Sequence, residues 1–138
     1  MAQKRRQVTA LIQRYVAVLE AKGIPVERVI LFGSYAAGHA DEWSDIDIAV
    51  ISPKFDELSL LERYEQLGLA NRDLQAPLDI VGFSSTQVAR CEPESFLAEI
   101  LRTGIDVPIL ARRAVASKQK EHTRRGADNR MDRRGQIL

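Results

Sequence analysis

Three aspartates stand where an apolar strand would otherwise carry an uncharged side chain: Asp45 and Asp47 in Asp45-Ile46-Asp47-Ile48, and Asp79 in Leu78-Asp79-Ile80. An ionised carboxylate in such a setting is costly unless it is paired or holds a cation. Strand residues two apart point to the same face and lie roughly 6.6 Å apart along the chain, so Asp45 and Asp47 can converge on one ion. Asp79 completes the cluster if its strand pairs beside theirs. Oxygen donors with no His or Cys close by in the chain suit Mg2+, or Mn2+, rather than zinc. Ions held in this way serve to neutralise phosphates.

A second group suggests where phosphates would lie. Gly33-Ser34 directly follows the apolar run Arg28–Phe32. Glycine lets backbone approach a ligand closely, a helix starting there would aim N–H groups at an anion, and the Ser34 hydroxyl adds a donor. Taken alone, a Gly-Ser pair after a strand marks a turn, and Asp-x-Asp marks a solvated or ion-paired face. In combination they describe a site where backbone donors hold a triphosphate and carboxylates hold the ions beside it.

The elements that must position these residues follow from periodicity. Val8, Leu11, Ile12, Tyr15, Val16 and Leu19 predict an amphipathic helix stopped by Gly23 and Pro25. Arg28–Phe32 predicts a strand that ends in a tight turn with one turn of helix. The stretch 45–50 alternates, with the acids on one face and Ile46, Ile48 and Val50 on the other. Leu58, Leu61, Tyr64 and Leu67 predict the apolar face of a helix over 56–70, with its Glu and Arg residues on the remaining face. The stretch 77–82 predicts another strand, and Phe96, Leu97, Ile100 and Leu101 predict a helix over 94–102 ending at Gly104. The run 105–110, with Pro108, suits an edge strand. The expected fold is α/β (α+β): a small mixed sheet with flanking helices on one side and the acids on its polar face.

In this order, Leu31-Phe32-Gly33-Ser34, then Asp45-Ile46-Asp47-Ile48, then Leu78-Asp79-Ile80, the sequence resembles the DNA polymerase beta-like nucleotidyltransferase superfamily. The resemblance covers residues 29–82 and, by size, is similar to its minimal nucleotidyltransferase (MNT) branch, whose members pair with HEPN toxins in toxin–antitoxin operons. It implies that Gly33 and Ser34 contact the nucleotide phosphates and that Asp45 and Asp47 bind the metal ions. Asp79 would be the third ligand and the activator of the attacking hydroxyl. It further implies two Mg2+ ions about 3.5–4 Å apart, ATP as substrate, and transfer of AMP to a hydroxyl of a HEPN partner. Two other readings stay open: an antitoxin that masks its partner by contact alone, and a small-molecule transferase of the antibiotic-modifying kind. Because the chain runs only a little past the motif region, the acceptor is expected to come from a partner.

Composition bounds the rest. The 138 residues are 45% hydrophobic and 28% charged, enough for one ordinary domain with a core that buries roughly two-thirds of the unfolded surface. The net charge of +1 conceals two unlike pieces. Residues 1–110 carry 11 Lys and Arg against 16 Asp and Glu, whereas 111–138 carry 9 against 3. The nucleotidyltransferase domain is therefore expected to end near Leu110, followed by a basic, flexible tail with no aromatic residue to stack on bases. Nucleic-acid binding by that tail is not the favoured reading. No apolar run approaches the ~20 residues that span a bilayer, and no export signal is evident. The lone Cys91 fits a reducing cytoplasm. His39, Trp43 and the basic cluster Lys4, Arg5 and Arg6 are read as solvent-facing or packing residues.

Overall fold

The computed structural model describes residues 2–41 and 44–109. Trp43, the expected boundary at Leu110 and the basic segment 111–138 lie outside the described residues. Helix α1 (Ala2–Ala21) buries Val8, Ile12, Tyr15, Val16 and Leu19, the stripe expected from their spacing. Its end is closed by paired backbone bonds, from Gly23 N–H to Glu20 C=O and from Ile24 N–H to Leu19 C=O. This is the Schellman arrangement, and buried Ile24 pins the chain back against the core.

Strand β1 (Arg28–Phe32) leads through the short helix α2 (Gly33–Ala37) into β2 (Ile46–Ser52). A 3-10 turn (Pro53–Glu57) and α3 (Leu60–Ala70) then cross to β3 (Leu78–Ser84), and α4 (Ser85–Ala89), α5 (Phe96–Thr103) and β4 (Ile105–Asp106) complete the described chain. The sheet order is β3-β2-β1-β4. Strand β2 runs antiparallel to β1 and parallel to β3, so the sheet is mixed as expected. The parallel pair requires a crossover, and α3 supplies it. A Ser59–Glu62 capping box starts α3, with each side chain bonded to the other residue's backbone N–H.

The register decides what shares a face. Phe32 lies opposite Asp47, and Asp47 lies opposite Asp79; Ile30, Ala49 and Val81 form the next row on the same side. Val29, Leu31, Ile48 and Val50 face the other way, into the main core with α1 and the α3 residues Leu67 and Ala70. Ile30 and Ala49 pack instead with Ile100 of α5. Helices therefore cover both sides of the sheet, correcting the expectation of one covered side. The alternation in β2 breaks after Asp47 because Ala49 and Ile51 need cover too.

Helix α3 is rotated from its expected orientation. Leu61 is 72% exposed and Tyr64 is exposed, whereas Arg63, Leu67 and Ala70 are buried. The guanidinium of Arg63 bonds to the carbonyls of Gly82 (3.0 Å) and Phe55 (3.2 Å) and to Gln87 Oε1 (2.9 Å), and it lies over the Phe55 ring. Those partners make an inward arginine more favourable than an inward Leu61. The last helix also departs from expectation: Leu97 and Ile100 are buried but Phe96 is 58% exposed.

Candidate active site

Asp47 and Asp79 come together because β2 and β3 are parallel and in register at these two residues. Asp47 is half-buried and Asp79 is exposed at the sheet's edge strand. Burial raises the Asp47 carboxyl above the usual carboxylate range, and the Asp79 charge, a hydrogen bond with Asp79 and the Asp45 charge push it the same way. Two carboxylates this close favour sharing a proton or binding a cation. Asp45 is exposed and precedes β2 by one residue, so it stands at the strand entrance rather than within it. Among the described residues no three His, Cys, Asp or Glu side chains converge in a metal-holding group. The structure brings two of the expected ligands together and leaves Asp45 alongside.

Gly33 is the third part. Its φ of +72° lies in the left-handed region, and a Cβ built there would overlap Asp47 Oδ2. Glycine is required twice over, by the backbone and by the carboxylate. The Gly33–Ala37 turn thus begins directly against Asp47. Ser34, half-buried, accepts at its carbonyl from the N–H groups of Gly38 (3.0 Å) and His39 (3.1 Å), closing the short helix. His39 is exposed, as expected. A cavity of about 330 Å3 lies behind this turn, lined by Lys4, Arg5, Val8, Leu31, Tyr35, Gly38 and Ala40 and by none of the three aspartates. The acid pair instead occupies the opposite face of the sheet.

Sequence reasoning missed the aromatic side of the site. Phe32, opposite Asp47, meets Phe96 edge-to-face with ring centroids 5.8 Å apart. The parity of Phe32 was visible, but its neighbours depend on strand pairing between distant segments.

A mixed sheet that sets a carboxylate pair beside a glycine turn defines a small α/β domain with its candidate site on the acid face. The comparisons narrow this class. The family described as nucleotidyltransferase domain matches residues 12–104, about two-thirds of the chain, and the chain belongs to that family. Among curated proteins none matches. Among solved structures, a Sulfolobus solfataricus protein assigned as a nucleotidyltransferase is 23% identical, with a TM-score of 0.52 over 64% of this chain and 78% of that one. It has the same fold. A toxin–antitoxin structure with AMP-PNP is 23% identical over 83% of this chain and 93% of that one, TM-score 0.47. A tri-AMPylated Shewanella oneidensis HEPN toxin in complex with MNT antitoxin is 22% identical over 86% and 93%, TM-score 0.44.

Proposed function

We propose that this nucleotidyltransferase domain transfers a nucleoside monophosphate, AMP from ATP, to a hydroxyl of a partner protein, and that the partner is a HEPN-type toxin. The observation that carries the reaction is the Asp47–Asp79 pair with Asp47 packed against Gly33, the Asp47 carboxyl being raised by burial and by its neighbour. Crowded carboxylates of this kind suit a divalent cation, because hard oxygen donors are the ligands Mg2+ prefers and its charge offsets theirs. Asp47 and Asp79 would hold the metal, with Asp45 joining from the strand entrance. Bound there, Mg2+ supplies Lewis-acid stabilisation of the charge that develops on the phosphates.

The chain's own residues do the rest. The Gly33-Ser34 backbone and the Ser34 hydroxyl hold the triphosphate against the acid pair. The acceptor oxygen attacks the α-phosphorus in line with the departing pyrophosphate, and an Asp79 carboxylate oxygen, exposed at the edge strand, takes the hydroxyl proton. Catalysis is positioning and charge neutralisation more than covalent chemistry. The HEPN partner is supported by the size of the motif region, which is similar to that of the minimal branch. The test is to incubate the full chain with Mg2+, ATP labelled at the α-phosphate and a HEPN protein encoded beside it. Label should appear on the partner and fall at least about a hundredfold with Asp45→Ala/Asp47→Ala. Equal transfer by the double variant, or none by the unaltered protein, rejects the reading.

A further inference from the structure

We propose that the exposed ring of Phe96 is the stacking surface for the base of the nucleoside triphosphate, which makes α5 part of the substrate site. The inference rests on the acid face being a nucleotide site, and it adds where the base lies and what holds it. The strand register supplies the first step. Phe32 is the cross-strand neighbour of Asp47, on the side away from Asp79, and the residue immediately before Gly33, so it flanks both Asp47 and the phosphate turn. A nucleotide with its phosphates on Gly33 and Ser34 has its base within one nucleoside length of Phe32.

Phe32 itself is half-buried, and its ring is engaged by Phe96 at an interplanar angle of 80°. An edge-to-face contact leaves a face of the ring pair open, and Phe96 is 58% exposed. The rest of α5 does not need this exposure: Leu97 and Ile100 are buried and already fasten the helix to the sheet. Single exposed apolar residues are ordinary on protein surfaces. The placement of this one is what assigns it a role, since its ring meets that of Phe32, which lies opposite Asp47 and precedes Gly33. Stacking on such a ring tolerates any base and is stronger for a larger one, so a purine nucleotide fits best.

The experiment measures, by calorimetry on the full chain with Mg2+, the affinity for ATP and for inorganic tripolyphosphate in the unaltered protein, Phe96→Ala and Phe96→Trp. Tripolyphosphate presents the phosphates without a base. Phe96→Ala should weaken ATP about tenfold and leave tripolyphosphate unchanged, and Phe96→Trp should restore ATP binding. Unchanged ATP affinity in Phe96→Ala overturns the assignment, whatever the variant does to the acceptor. An equal loss for both ligands also overturns it, because the ring would then act on the phosphate site or the fold. If the unaltered protein binds neither ligand, the nucleotide reading itself fails and the assignment falls with it. If it binds tripolyphosphate as tightly as ATP, only the Phe96 assignment fails.

Discussion

At the scale of single residues the site depends on Gly33 more than its small side chain suggests. Its positive φ would strain any L-residue by about 1–3 kcal/mol, and a methyl group would also displace the Asp47 carboxylate. The two costs can be separated. Gly38 has a φ of +86° but no atom within 4 Å of its would-be Cβ, so Gly38→Ala carries the strain alone. Both alanine variants should lose stability in urea unfolding, Gly33→Ala the more because of the added overlap, but only Gly33→Ala should lose transfer activity, about a hundredfold, because displacement of an active-site group by ~1 Å has that effect. Equal activity in the two variants would separate Gly33 from the chemistry. The Gly-Ser and Asp-x-Asp signals were legible because their geometry is local. What they could not show was that Gly33 touches Asp47, since that contact depends on how β1 pairs with β2.

The same division between local and distant information explains the elements. Helix α1 was legible to within a few residues because one uninterrupted stripe faces one core. Helix α3 was misoriented because counting leucines ignores what an arginine finds inside. Strand β3 is the sheet's edge, and α3 satisfies both backbone groups of Gly82: Arg63 donates to its carbonyl, and Tyr64 Oη accepts from its N–H at 3.1 Å. The approach is close, since a Cβ on Gly82 would stand 2.8 Å from Leu67 Cδ1. Arg63 thereby fastens α3 to the strand that carries Asp79 and covers part of an otherwise open edge. Replacing a buried charged group by an apolar one of similar volume is often neutral. Here Arg63→Met also strands the Gly82 and Phe55 carbonyls, each costing about 1–3 kcal/mol. We expect a loss of about 2–4 kcal/mol in urea unfolding, with little recovery in Arg63→Lys, whose single ammonium cannot span the partners of a forked guanidinium. A change below ~0.5 kcal/mol for Met would show that water replaces Arg63 at both carbonyls.

For the molecule as a whole, the acid pair links folding to protons and, on the proposed reading, to metal. The folded state holds the Asp47 carboxyl above its ordinary value, so between the ordinary and the raised values the folded chain binds more protons than the unfolded one. By linkage, stability then falls as pH rises through that window. Below the ordinary carboxylate range Asp47 is neutral in both states and no penalty exists; above the raised value the full penalty applies. Asp47→Asn removes it by removing the charge. In chelator at neutral pH the variant should melt higher than the unaltered protein, by about 2–4 °C, a modest shift because exposed Asp79 is well screened. The difference should shrink as pH falls below the ordinary carboxylate range. On the proposed reading Mg2+ would be held by Asp47 and Asp79 in the folded state, so it should raise the melting temperature of the unaltered protein at neutral pH and leave Asp47→Asn unmoved. Scanning calorimetry over pH, with Mg2+ and with chelator, measures both effects together. A variant that melts lower at neutral pH in chelator would mean that the pair stabilises the fold. A variant that gains as much from Mg2+ as the unaltered chain would place the cation elsewhere on the acidic surface.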